Sequence, residues 1–549
     1  MSIDDAHPTP AQPAARDDEV KSELAHQPET YPPAPLPVTE KGVPVAPQPV
    51  PPPVLVQQPA LVMRWIDRGA LFPTLQNPRS YSKYQKILIV FTVSLASFTA
   101  PFASNALLPA FPAIQASYRS TETRVSLTTT VFLLSIGISP IWHAFLSERY
   151  GRRPVYIFGF LLYIIASILC AIAPGAPALT GLRFLQAMGS SCAQSVGMGS
   201  IADIYEPAQR GRATGWWYLG PIMGPLIAPL VGGALESWLG WRAIGWFLAI
   251  WGVVLWVFIV LFLPETSQNL KARQAAEVAA ALLPPAPSTT SARPLTRWTK
   301  VKSGLAEGFS FFLIRPLRTL AYIRYPPIGL TILLASACFA CVYAVATTVT
   351  WAFHKAPYHF SPIIVSLMYI PNCVGYIIGS VVGGYLSDRA VARARAKYGD
   401  SYAPEVRLMS AWTGVPLLPA GLFLFGWSVR AGLHWTVPAL GGFIFGIGQM
   451  LAIGTMMAYF ADSTKETASV VACYNLVRNV AAGLIAGITP SALKQYRAGW
   501  FMTILAIVCI VFSVNLEFVR RYGPYWRQRR DEEEAEKAAR QAVATNPAS

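Results

Sequence analysis

Charge is what this chain has least of. Asp, Glu, Lys and Arg make up 13% of it, against about 25% in an ordinary soluble domain. Hydrophobic residues reach 53% and the mean hydropathy is +0.40. These values exclude a water-soluble globular class and leave a chain that crosses a bilayer repeatedly. The seven cysteines (Cys170, Cys192, Cys338, Cys341, Cys373, Cys473, Cys509) all fall inside apolar runs. Cys338 and Cys341 spell C-x-x-C, but no other pair of cysteines or histidines stands at ligand spacing. The cysteines therefore read as small apolar fillers, and no metal is expected. No nucleophile–base spacing points to an enzyme either. No apolar segment precedes Ile87, so no cleavable signal peptide is expected and the first span itself directs insertion. Finally, no Asp or Glu falls in the middle of any apolar run; Glu236 and Glu517 lie near run ends.

What the chain has is apolar runs of spanning length, about 20 residues each. Twelve are read at 85–105, 125–145, 154–173, 178–205, 213–238, 243–263, 328–353, 361–386, 407–429, 435–460, 468–488 and 499–519. The net charge is +16, which in a soluble protein would suggest nucleic acid. Here Lys and Arg sit in short loops, and the positive-inside rule accounts for them, so the partner is the bilayer and not nucleic acid. Arg149, Arg152 and Arg153 follow run two, and Arg210 and Arg212 follow run four. Arg389, Arg393, Arg395 and Lys397 follow run eight. The opposite loops carry only scattered bases such as Arg119, Lys355, Arg430 and Arg497. Both termini and the middle loop are thus expected in the cytoplasm. The division follows: a disordered proline-rich tail at 1–84, six helices at 85–263, a cytoplasmic loop at 264–327, six helices at 328–519 and a cytoplasmic tail at 520–549.

Two patterns carry more than hydropathy. The first is GPIMGPLIAPLVGG at 220–233. Gly220, Gly224, Ala228 and Gly232 are four apart and share one helix face. A face without side chains lets another helix approach to backbone distance. Pro221, Pro225 and Pro229 form the adjacent stripe. The second pattern is a repeat. LSERYGRRP at 146–154 follows run two, and GGYLSDR at 383–389 follows run eight. Glu148-Arg149 and Asp388-Arg389 stand 240 positions apart (388 minus 148). An acid beside arginines at a helix end can form switchable ion pairs; the plainer alternative is that these loops only set topology.

Ionisable groups inside spans are costly and functional by default. Arg183 lies in GLRFLQAMG at 181–189, and Arg478 in YNLVRN at 474–479 with Asn475 and Asn479 on the same face. Snorkelling of Arg183 to the interface is the bland alternative. The other polar residues within spans are few: Asn105, Gln186, Tyr343, Asn372, Tyr376 and Gln449.

These motifs resemble those of the major facilitator superfamily. G-P-x-x-G-P-x-x-x-x-x-G-G (Gly220, Pro221, Gly224, Pro225, Gly232, Gly233) is similar to the fifth-helix motif of its exporters. L-x-x-R-x-G-R-R (Arg149, Gly151, Arg152, Arg153) resembles its loop signature, with Glu148 for the usual Asp. Arg183 resembles the cation of an R-x-x-Q-G motif, which implies a coupling role for it, with Asp203 able to pair with Arg152 or Arg149. Segments 317–327, 369–376 and 446–449, with Pro264-Glu-Thr266, resemble the fungal twelve-spanner drug:proton antiporters, closest to the quinidine-resistance and dityrosine-transporter group. The resemblance implies an all-α membrane fold of two six-helix bundles. It implies a monomeric plasma-membrane exporter of drugs or small metabolites, driven by a proton gradient with no bound cofactor. Alternatives are a dedicated exporter of an organic acid or other anionic metabolite and, remotely, a non-transporting sensor. Gly220–Gly233 is expected to pack on the opposite bundle, and Arg183 and Arg478 to face the cavity. Because no carboxylate lies mid-span, proton coupling is carried by the resemblance alone, and facilitated export stays open.

Overall fold

Ser82 begins the first long helix. Its hydroxyl accepts from the Gln85 amide at 3.4 Å, while the Gln85 side chain accepts from the Ser82 amide at 2.9 Å. This reciprocal cap satisfies two donors that a helix start leaves open. The computed structural model describes residues 71, 77–267, 318–399, 404–463 and 467–545. Most of the tail expected to be disordered, most of the middle loop and the side chains of Arg210 and Arg212 lie outside the described residues; the tail's end is ordered, with a 3-10 turn at Pro78–Ser80 leading into the helix that starts at Lys83.

The first half holds α1 (Lys83–Ala106), α2 (Glu122–Tyr150), α3 (Arg152–Ala171), α4 (Ala176–Ile204), α5 (Pro207–Leu239) and α6 (Arg242–Phe262). The second half holds α7 (Pro326–His354), α8 (Ile370–Tyr398), α9 (Leu417–Ala431) and α10 (Thr436–Ser463), and then the stretch Thr467–Thr545. That stretch breaks at Arg497, whose φ is 57°, giving α11 at 467–496 and α12 at 498–545. There is no strand among the described residues. Among the described residues, eight helical stretches are long and apolar enough to cross a bilayer by length and composition. α4 is not among them, because glycine, serine, glutamine and Arg183 dilute its hydropathy; several residues of α5 lie outside the described set. α9 is too short, with 15 residues.

Three spans differ in detail from their sequence reading. Run eight starts as a separate short helix, Pro362–Leu367, because Pro371 enters α8 without an amide to donate backwards. Run nine divides into Val406–Ala411 and α9, with Pro416 at the second start and Gly414 against the Gly448 carbonyl of α10. α12 runs well past the expected end of its span. Ion pairs one turn apart support that extension, such as Arg521–Glu517 at 3.2 Å and Arg529–Glu533 at 3.4 Å.

Within the first half α1 packs on α5, α4 on α2 and α3, and α3 on α6. Within the second, α7 packs on the α11–α12 stretch, while α10 lies against α8 and α9. The halves meet along two seams, α2 against α11 and α5 against the 362–367 helix. We call the end of the molecule where 267 and 318 lie the linker face, and the other the far face.

Candidate functional site

Past the middle of α7 the halves join through Tyr343, which meets the last turn of α1. Its hydroxyl lies 3.2 Å from Ser104 Oγ and accepts from Asn105 Nδ2 at 3.4 Å, both on α1. Asn105 Nδ2 also donates to the Pro101 carbonyl at 2.9 Å. All of these side chains are buried.

Arg183 sits in the first half. Nη1 donates to Gln186 Oε1 at 2.7 Å, Nη2 donates to the Ala103 carbonyl at 3.0 Å, and the guanidinium lies 4.0 Å over the Phe132 ring. Gln186 in turn donates to Ser167 Oγ at 2.8 Å. At 1% exposure Arg183 does not snorkel to the interface; with Gln186, Cys170 and Trp241 it lines a small cavity inside the first half. The reason is local. Ala103 is in the last turn of α1, where carbonyls lack intrahelical donors, and a buried guanidinium takes the nearest acceptors.

Arg478 of α11 is only half-buried. Its guanidinium stands 4.6 Å from the Phe339 ring of α7 and 5.1 Å from Tyr474. Phe339 is one turn before Tyr343, and their rings are 5.7 Å apart. Asn479 turns elsewhere: it donates to the Asn475 carbonyl at 2.7 Å and packs against Gly137 of α2. A face shared by Asn475, Arg478 and Asn479 therefore divides between two helix seams. On α8, Asn372 Nδ2 donates to the Tyr376 hydroxyl at 3.1 Å. Asn372 Oδ1 and both amide atoms of the fully buried Gln449 have no partner among the described residues. Such buried amide atoms are costly unless something pairs with them.

The glycine motif of α5 packs chiefly on its own half. A Cβ at Gly220 would strike the Ser94 carbonyl and one at Gly232 the Ala106 carbonyl. At Gly224 it would come 2.8 Å from the Phe102 nitrogen. All three partners belong to α1. Gly233 meets the other half, at Ser366 and the Pro362 carbonyl. The expectation that this face packs on the opposite bundle is thus corrected, because carbonyls along α1 fill the groove that the glycines leave. Pro221 and Pro225 are accommodated within one continuous helix.

On the linker face the repeated loops form matched clusters. Arg152 Nε lies 3.2 Å from Asp203 Oδ2, and its Nη1 donates to Ser147 Oγ at 2.6 Å. In the second half Arg407 bonds Asp462 at 2.5 Å, Ser387 at 3.2 Å and Asp388 at 3.5 Å. Ser147 and Ser387 directly precede Glu148 and Asp388. Glu148 and Arg149 are exposed, as is Arg389, which donates to Tyr385 at 3.3 Å. Gly151 makes the turn before α3 with φ 100°, a conformation open to glycine. Arg153 is buried and donates to the Val260 carbonyl at 2.8 Å. Glu265 accepts from the Arg152 and Arg153 amides at 2.9 and 3.1 Å, capping α3.

Sequence reasoning missed Arg407 and Asp462. Their signal was position: Asp462 ends α10 as Asp203 ends α4. It also missed Glu122, which reads as an ordinary helix-start acid but is only 6% exposed. On the far face Glu122 of α2 pairs with Lys355 at 2.6 Å and Lys494 at 3.7 Å. Thr123 and Ser491 hydroxyls are 3.0 Å apart beside it, and Thr130 donates to the Gly483 carbonyl at 2.9 Å. These contacts all cross between halves, whereas the linker-face clusters above each stay within one.

Residues 93–487 match the family model of the Major Facilitator Superfamily. The chain belongs to that superfamily. Among similar proteins, the MFS antiporter QDR3 of Candida albicans is 30% identical, over 84% of this chain and 81% of its own. Quinidine resistance protein 3 of Saccharomyces cerevisiae is 27% identical, over 84% and 86%. The MFS-type transporter atr4 of Stereocaulon alpinum is 32% identical, over 81% and 80%. Among solved structures, a POT peptide transporter bound to sulfate superposes with a TM-score of 0.55 at 16% identity, covering 80% of this chain and 95% of that one; the likeness is one of fold. This major facilitator chain is therefore a multi-pass membrane transporter of small molecules and not an enzyme.

Proposed function

We propose that this transporter exports drugs or small fungal metabolites by alternating access, in the manner that the names of its relatives suggest. One observation carries the reading. The far face is closed by cross-half contacts around Glu122, while the linker-face ion pairs described above hold each half separately. That arrangement suits a carrier whose halves part at the linker face to admit cargo. The Tyr343–Ser104–Asn105 cluster, Arg478, Asn372 Oδ1 and the Gln449 amide are the proposed cargo contacts. Orientation follows the positive-inside rule, with linker face and both termini cytoplasmic. Residues 85–263 and 328–519 act as the two moving bundles, 264–327 as the cytoplasmic link, and 1–84 and 520–549 as tails. The proposed site is the plasma membrane, the unit a monomer, and the energy source a proton gradient.

A second reading has its own support. Arg478 is half-buried between aromatic rings, and no carboxylate lies mid-span, so the cavity favours anionic or carbonyl-rich cargo over cations. The test is efflux from deletion and overexpression cells offered cationic drugs and small carboxylates, with and without a protonophore. Broad drug export abolished by the protonophore supports the first reading. Carboxylate export alone, lost in Arg478→Ala, supports the second. Export of neither would refute both.

A further inference from the structure

The far-face carboxylate has an unusual setting. Glu122 comes from α2, yet its immediate charged partners come from the other half. Oε1 lies 2.6 Å from Lys355 Nζ at the end of α7, and Oε2 lies 3.7 Å from Lys494 Nζ at the end of α11. The carboxylate is buried, while the two lysine side chains are 51% and 60% exposed. Beside them opens a cavity of about 340 Å³, lined also by Arg430, Arg497, Trp351 and Tyr358. Glu122 is the one acid among its lining residues, against four cations. Arg430 rests on Trp427 at 4.9 Å, and Arg497 holds its left-handed backbone at the α11–α12 break. A non-glycine residue held at positive φ persists where its surroundings over-determine it.

The second half thus carries a cationic cradle, and the first half inserts one carboxylate into it. We propose that this cradle is a carboxylate-binding site, filled in the far-closed state by Glu122 as a tethered ligand. When the halves part at the far face, Glu122 withdraws with α2 and leaves four cations without their acid. A small external carboxylate then takes the place of Glu122 and holds the far face open. Reclosure requires its release, so the site makes the return step sensitive to carboxylates outside. This inference rests on the orientation and alternating access proposed above.

The test uses the full-length chain in intact cells, with Thr123→Cys and Ser491→Cys placed where the native hydroxyls are 3.0 Å apart. The native cysteines are all buried. The rate of joining by an impermeant bifunctional thiol reagent reads the far-closed population. Citrate is the probe, with sodium chloride at equal ionic strength as control. Citrate should slow joining about fivefold, the worth of one partly buried ion pair. Glu122→Gln should slow it about as much without citrate, and Lys355→Gln with Lys494→Gln should abolish the response to citrate. Exchanging the charges, Glu122→Lys with Lys355→Glu, should restore joining and so separates loss of the pair from misfolding. Unchanged or faster joining in citrate would overturn the proposal. Joining seen only after permeabilisation would overturn the orientation, and the citrate response measured from that side would still judge the site.

Discussion

Gly224→Ala adds one methyl group to the α1–α5 seam, and the geometry fixes what that methyl meets. Its Cβ would lie 2.8 Å from the Phe102 nitrogen, 2.9 Å from Pro101 Cβ and 3.0 Å from the Phe98 carbonyl oxygen, where ordinary contact begins at 3.4 Å. Two of these three atoms are backbone, so no side chain can swing aside; the helices must part by roughly half an ångström. Overpacking of this kind costs about 1–3 kcal/mol. Alanine also gains up to about 1 kcal/mol over glycine in a helix, so a control must carry that gain alone. Gly384 of α8 supplies it, being exposed with nothing within 4 Å of its Cβ. The quantity to measure is the difference between Gly224→Ala and Gly384→Ala in apparent melting temperature, in one detergent and at one scan rate, since such unfolding is irreversible. At about 2 °C per kcal/mol for a large unit, Gly224→Ala should melt roughly 2–6 °C below Gly384→Ala. Equal melting of the two would refute the reasoning that this glycine is required for backbone approach.

Four further outcomes follow from the same contacts. Asp203→Asn and Asp462→Asn each remove the carboxylate facing a loop arginine, and each should lower thermal stability by about 1–3 kcal/mol; a drop in only one would deny that the clusters are equivalent. Glu265→Ala strips the cap of α3 and should cost about 1–2 kcal/mol, with Glu265→Gln intermediate, read by the same melts. Arg183→Lys should lose most transport at normal expression, because an ammonium cannot serve Gln186, Ala103 and the Phe132 ring together; wild-type efflux in that variant would deny the role of the planar fork. Tyr343→Phe removes the hydroxyl that joins α7 to α1 and should weaken far-face closure by about 0.5–1.5 kcal/mol, seen as slower cysteine joining at 123 and 491.

Much of this molecule could be read in one dimension because a bilayer leaves few solutions. Runs of spanning length must be helical, and ten of the twelve apolar runs fall on one helix each, while runs eight and nine each divide between two. The family was legible in local patterns, such as 146–154 and 220–233, whose meaning lies in spacing. What the pattern could not give was the partner of a face. The stripe Gly220, Gly224 and Gly232 announces close packing but not against which helix, and α1 rather than the opposite bundle takes it. Arg183 announces a buried cation but not its acceptors, which are a helix-end carbonyl and a neighbouring amide that have no charge signature. Glu122 was invisible for the opposite reason: Thr121-Glu122 is how many helices begin, and only the folded chain brings Lys355 and Lys494 to it from more than 200 positions away.

The two faces differ in what their ion pairs resist. At the linker face Arg152–Asp203 and Arg407–Asp462 each close a loop within one half. The halves can separate there with both pairs intact, so these charges set the shape of each bundle rather than the distance between bundles. At the far face Lys355–Glu122 and Lys494–Glu122 span the division. They cannot survive opening, and neither can the Thr123–Ser491 contact beside them. Charge changes at the linker face should therefore appear mainly as lost stability, and changes at Glu122 mainly as a shifted balance between conformations. A transporter that is well folded yet slow after Glu122→Gln, set beside one that is poorly folded after Asp462→Asn, would separate these two uses of charge. The reverse pattern would place the moving contact at the linker face instead.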